Sequence, residues 1–274
     1  MSEMQVKKIA CHHSIINAFY ILFFYISIET IVKLIHETGH IIFALFLGFP
    51  LDSITLYLNP FSGGYTGIEG FGADRNLNGI LFALSGTILP VVLGVIVCFY
   101  CIIRKPKRQL QWSLFAGYAF LINGINVCIG VFIQDSDTAL MVQCGLPLLP
   151  VLFISLILIL TGSFVLVRYF FMVCLHSYFK TISDRIILLL IFCISPMIAI
   201  VTAYFVDDLS FQRVFIALGE VVFVVLFFVI SIFFAKQKNY ILEREKIPVF
   251  FDWFIVFPGM CFSVYFYIDY IFYR

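Results

Sequence analysis

The residues best suited to chemistry are His36-Glu37-Thr38-Gly39-His40, an H-E-x-x-H run inside an apolar stretch. On a helix, positions four apart project from one face, so both imidazoles can share a metal ion while Glu37 stands beside them to take a proton from water at that metal. That is the chemistry of metal-assisted hydrolysis. In a chain with only 5 His, chance would produce such a run about 0.002 times, which makes coincidence a poor explanation. Three ionisable groups within one turn at membrane depth are also expensive, and by default functional.

Two neutral imidazoles leave a divalent cation poorly compensated in an apolar medium, so a third, anionic ligand is required from elsewhere. Asp135 and Asp137 stand in Gln134-Asp135-Ser136-Asp137-Thr138-Ala139-Leu140, at the end of a later apolar stretch. One aspartate together with Glu37 would bring a Zn²⁺ cluster to formal neutrality. If the helix continues past Ile133, residues 135 and 137 point about 200° apart, so only one can face the histidines. Glu69 is a rival ligand, expected in a solvated loop. Lys33 is spaced to pair with either Glu29 or Glu37, and the pair with Glu29 is favoured. Asn123 and Asn126 suit hydrogen bonding either to a substrate backbone or to a neighbouring helix.

These residues must be held by an apolar scaffold. Of the 274 residues, 62% are hydrophobic and 12% charged, and the net charge is +1; the mean hydropathy is +1.07. Soluble domains carry about 25% charged residues, so this alphabet cannot build a water-soluble surface, and a near-zero net charge argues against a nucleic-acid partner. The chain reads as an all-α polytopic membrane protein whose partner is the lipid bilayer. Its eight cysteines lie mostly within apolar runs and read as buried small side chains. No cleavable signal peptide is expected.

A membrane helix needs about 20 apolar residues, and seven stretches qualify: 15–47, 79–103, 110–133, 146–167, 186–206, 214–235 and 249–271. The first is long, yet it holds no Gly or Pro before Thr38 that would turn it back, so one tilted or protruding helix is expected, with a tight helical hairpin as the alternative. Thirteen Lys and Arg fall in connections on one side of this arrangement, against Arg75, Arg213 and Arg274 on the other. The N-terminus is therefore expected in the cytoplasm and the C-terminus outside, in the cell (inner) membrane. This order also brings the C-terminal half of the first span and the end of the third to the same side of the membrane. Between the first two spans, residues 51–68 alternate Ile54, Leu56 and Leu58 with polar residues before an Asn59-Pro60 and Gly63-Gly64 turn, which is a β-hairpin signal. One membrane domain over 1–274 is expected, with a catalytic core at about 15–140 and additional spans at about 146–271.

Taken together, the HETGH helix, the Gly48-to-Gly64 segment, the small-residue stretch LSGTILPVVLG at 84–94 and an Asn-containing third helix ending in Asp resemble the compact bacterial-type branch of the site-2 protease family. The resemblance covers roughly residues 28–150. It implies a three-helix zinc core, a membrane-embedded β-hairpin that pairs with an unwound substrate as an added strand, and hydrolysis of a substrate's transmembrane helix. It also favours Asp137 over Asp135, since Ser136-Asp137 followed by Thr138-Ala139-Leu140 resembles that branch's Ser-Asp followed by small and apolar residues, and Ser136 could orient the carboxylate. Members of the family often hold zinc nearer the cytoplasmic face, whereas the charge count places the site toward the outer half.

The expectation is therefore an intramembrane zinc metalloendopeptidase acting on a membrane-protein substrate. Zn²⁺ would be held by His36, His40 and Asp137, with Glu37 as the base and Asn126 in contact with substrate. The alternative is a non-proteolytic multi-pass protein that binds or transports a metal with the same ligands.

Overall fold

The computed structural model describes residues 3–59, 63–70, 77–104, 109–132 and 136–175, with isolated positions between 186 and 261. The spans expected at 186–206, 214–235 and 249–271 lie almost wholly outside the described residues.

Helix α1, Glu3–Phe46, is a single 44-residue helix, as the absence of early Gly and Pro requires. Within its apolar length the hydroxyls satisfy themselves locally: Ser27, Thr30 and Thr38 each donate to the carbonyl four residues back. Lys33 Nζ bonds Glu29 Oε1 at 2.6 Å, the favoured partner of the two. The helix ends in a Schellman turn. Gly48 adopts φ +89°, its N–H bonds the Leu45 carbonyl, and the N–H of Phe49 reaches back to Ala44; Pro50 then prevents the helix from resuming.

After a 3-10 turn at Leu51–Ser53, strands β1 (Ile54–Asn59) and β2 (Gly63–Ile68) pair antiparallel, in a register running from Ile54 opposite Ile68 to Asn59 opposite Gly63. This is the hairpin expected from the alternation in 51–68. Its β2 strand lies against α1.

Helices α2 (Leu77–Arg104), α3 (Gln109–Gly130) and α5 (Leu148–Leu175) follow. Among the described residues, these contribute the three helices long and apolar enough to cross a membrane; the described side chains of α1 include the charged Glu29, Lys33 and Glu37. Small residues let the helices approach closely. A Cβ on Gly39 of α1 would strike the Ser85 carbonyl of α2, and one on Gly162 of α5 would lie 2.5 Å from the Leu121 nitrogen and 2.9 Å from the Gly117 carbonyl of α3. Ser155 Oγ donates to the Gly124 carbonyl at 2.9 Å across the same α3–α5 seam. Without a hydrophobic drive between helices in lipid, close packing and such bonds carry association. Ala116, Phe120 and Leu158 form the apolar centre of this seam, with Val91, Val97 and Cys98 of α2 packed on it.

One expectation is corrected. The third span does not run to Ile133: α3 stops at Gly130, and a separate short helix, α4 (Asp137–Gln143), begins behind Ser136. The reason is local. Ser136 Oγ accepts from the Ala139 N–H at 3.0 Å and donates to the Gly130 carbonyl at 2.5 Å, so one hydroxyl both caps α4 and ties it to the end of α3.

Candidate metal centre

The H-E-x-x-H run lies on α1, where the helix crosses α2 at Gly39. His36 and His40 project on one face with ring centroids 5.1 Å apart and planes at 77°. Their Nε2 atoms are 3.4 Å apart. Asp137, the first residue of α4, brings Oδ2 to 3.1 Å from His36 Nε2 and 3.2 Å from His40 Nε2. One donor atom from each of the three residues thus falls within 4.8 Å of the others.

The far nitrogens of the two rings are each committed. His36 Nδ1 donates to Asn123 Oδ1 on α3 at 3.0 Å, and the Asn123 amide is oriented in turn by Nδ2 donating to the Ala119 carbonyl at 2.7 Å. His40 Nδ1 donates to the Phe82 carbonyl on α2 at 2.9 Å. A proton on Nδ1 leaves each neutral imidazole with its lone pair on Nε2, and both lone pairs face a carboxylate oxygen. Without a proton on Nε2, three lone-pair donors at these separations repel one another unless a metal ion stands among them. The donor set, two imidazole nitrogens and a carboxylate oxygen, suits a tetrahedral ion with a fourth position left open. Gly86 of α2 completes the cradle, for a Cβ there would lie 2.7 Å from His36 Nε2 and closer still to His40 Nε2.

Glu37 stands beside this group, 5% exposed. Its Oε2 accepts from Thr66 Oγ1 of β2 at 2.7 Å, and Gly64 of the same strand packs against Oε1. The base candidate is thus held by the hairpin, while the ligand candidates are held by α2, α3 and α4.

Residues 10–142 match the family model described as Peptidase M50B-like. This match supports membership of the site-2 protease family. No curated protein and no solved structure gives a match. The matched segment runs from within α1 to the last turn of α4, so it contains His36, Glu37, His40, the hairpin and Asp137.

Among the sequence-derived candidates, His36, His40 and Asp137 are brought together and Glu37 adjoins them. Asp135 lies outside the described residues. Glu69 is exposed at the end of β2, where its N–H bonds the Ser53 carbonyl, and is not one of the converging donors. Asn126 is half-buried on α3 and is not one of the groups bonded to the histidines; it is Asn123, one turn earlier, that reaches His36. Ser136 is placed as the cap of α4. Sequence reasoning missed Thr66 and the Phe82 carbonyl. A backbone acceptor carries no residue signature, and Thr66 could have been found only by noticing that its strand shares a face with Gly64.

Proposed function

We propose that this chain is an intramembrane zinc metalloendopeptidase that cleaves a transmembrane segment of a membrane-protein substrate. The observation that carries this reading is the convergence of His36 Nε2, His40 Nε2 and Asp137 Oδ2 with the Glu37 carboxylate alongside, each imidazole held in the tautomer that turns a lone pair inward. His36, His40 and Asp137 would hold Zn²⁺. When bound, the ion supplies Lewis acidity, polarising a peptide carbonyl and making water acidic enough to react near neutral pH.

The chain's own residues do the rest. Glu37 accepts a proton from the attacking water and delivers it to the leaving amine nitrogen, serving as base and then acid. Asp137 offsets part of the cation's charge, and the ionised Glu37 brings the cluster to neutrality, which matters in a poor dielectric. Asn123 and the Phe82 carbonyl fix the imidazole rings, so the ligands need little reorganisation to bind. A substrate helix hides its peptide bonds inside its own hydrogen-bonded ladder and must unwind locally to be cut. The β1–β2 hairpin offers unwound backbone a strand edge to pair with, as the family resemblance implies. Asn126, half-buried near the same end of α3, is our candidate for contact with that backbone.

We also propose a multi-pass arrangement in the cell membrane with the N-terminus cytoplasmic, resting on the asymmetry of Lys and Arg among the connections. Single cysteines placed at 105–108 and at 207–208 and labelled from each side should react from opposite faces. Labelling of 105–108 from outside would invert the topology.

The test of the function is Glu37→Gln in purified protein and alongside a co-expressed membrane substrate. The wild type should carry about one zinc per chain and cleave; the variant should keep the zinc and lose cleavage, because an amide keeps the shape but takes no proton. Undiminished cleavage by the variant would remove Glu37 as base. Zinc bound without cleavage by the wild type would select the non-proteolytic metal-binding alternative.

A further inference from the structure

The contact between hairpin and base is not needed to assemble the three metal ligands, and it is specific. We propose that Thr66 is a positioning residue for Glu37, so that the strand pair offered to a substrate also aims the base; this rests on reading Glu37 as that base.

A buried carboxylate on a flexible side chain has several rotamers and needs hydrogen-bond donors. Thr66 Oγ1 meets Glu37 Oε2 at 2.7 Å and lies 3.5 Å from the Glu37 backbone carbonyl, so the hydroxyl sits directly over the turn that carries the base. Side chains two apart on a strand share a face. Gly64, two residues before Thr66, therefore turns the same face to α1, and a Cβ there would collide with Oε1 and lie 2.7 Å from Cδ of Glu37. One carboxylate oxygen is held by a hydrogen bond, and the other is fitted into room that only glycine leaves. The intervening Tyr65 points away and is 63% exposed. The strand thus has a gripping face and an outward face.

β2 is paired with β1 along its whole length, from Gly63 opposite Asn59 to Ile68 opposite Ile54. A peptide added to this sheet and the carboxylate held beneath it are consequently referenced to one rigid element. Productive proton transfer needs the base within about 3 Å of its proton, and a misplacement of about 1 Å can cost a hundredfold in rate. A residue acting this way should affect turnover far more than substrate affinity.

The experiment uses full-length protein carrying Thr66→Val, which keeps the shape and removes the hydroxyl, and Thr66→Ser, which restores it. In Thr66→Val, kcat should fall at least about tenfold with KM and zinc content close to wild type, and Thr66→Ser should recover most of kcat. Gly64→Ala, which displaces Oε1 from the other side, should likewise lower kcat while zinc stays bound. A readout independent of cleavage is backbone hydrogen exchange across 54–68. Thr66→Val and Glu37→Ala should each quicken it, and the double variant should go no further than the faster single, as one shared contact requires. Wild-type kcat in Thr66→Val, a loss that Thr66→Ser does not restore, or additive exchange effects would overturn the proposal. Retention of full cleavage by Glu37→Gln would instead overturn the reading of Glu37 as base, so the two failures are told apart.

Discussion

Asn123 Oδ1 accepts the Nδ1 proton of His36 at 3.0 Å, joining α3 to α1 across 87 residues of chain. The bond leaves the opposite ring nitrogen as the candidate ligand atom, which makes a helix-packing asparagine part of the candidate metal centre. Asn123→Ala should weaken zinc affinity about 10- to 100-fold, the usual cost of losing such a partner, while far-UV circular dichroism remains that of the wild type. Competition against a chelator of known affinity measures it, and an unchanged affinity would show that His36 is oriented by packing alone.

Gly86 faces both Nε2 atoms with no side chain of its own. Gly86→Ala should therefore displace the imidazoles and abolish zinc binding outright, although alanine is otherwise the better helix former by about 1 kcal/mol. Metal analysis of the purified variant decides this; a full complement of zinc would mean that α2 can move aside.

Three carboxylates competed for the third ligand position. Asp137→Ala should lose zinc and cleavage together, whereas Glu69→Ala, at an exposed site after β2, should retain both, and Asp135→Ala should retain most of both. Zinc content of the three variants, read side by side, tests the assignment. Loss in Glu69→Ala alone would reassign the ligand.

The α3–α5 seam makes a prediction about stability. Gly162 approaches the Leu121 nitrogen and the Gly117 carbonyl so closely that no Cβ fits, and Gly162→Leu should destabilise the fold by at least about 1–3 kcal/mol, the usual cost of overpacking. Thermal unfolding in detergent should show the drop, and Gly219→Leu, where an added Cβ would meet nothing within 4 Å among the described residues, is the control expected to be near neutral.

What could be read from the sequence was whatever local spacing dictates. The i, i+4 spacing of His36 and His40 set their common face before any fold was considered, and the alternation of Ile54, Leu56 and Leu58 announced a strand. The long apolar runs gave α2 to within two residues at either end, whereas α3 stops three residues short of its run and α5 continues eight residues past 167. What could not be read depended on helices meeting in space. The break after Gly130 is one case, because the capping by Ser136 competes with an apolar run that would otherwise extend the helix. The choice of Asn123 over Asn126 is another: they are three residues apart on α3, and only its rotation against α1 decides which one reaches His36. Thr66 is the third, since nothing in GGYTGI says which face of the strand will meet Glu37.

The placement of Asp137 has a mechanical consequence. His40 and Asp137 are 97 residues apart in the chain, and between them run the hairpin, α2 and α3. A cation gripped by both would act as a clasp on that long loop, lowering the entropy of the opened chain much as a crosslink does, so that binding energy is returned as cohesion of the helical core. Chelation would then do more than silence the centre. It would loosen the hold between α1 and α4, and with it the closure of that loop.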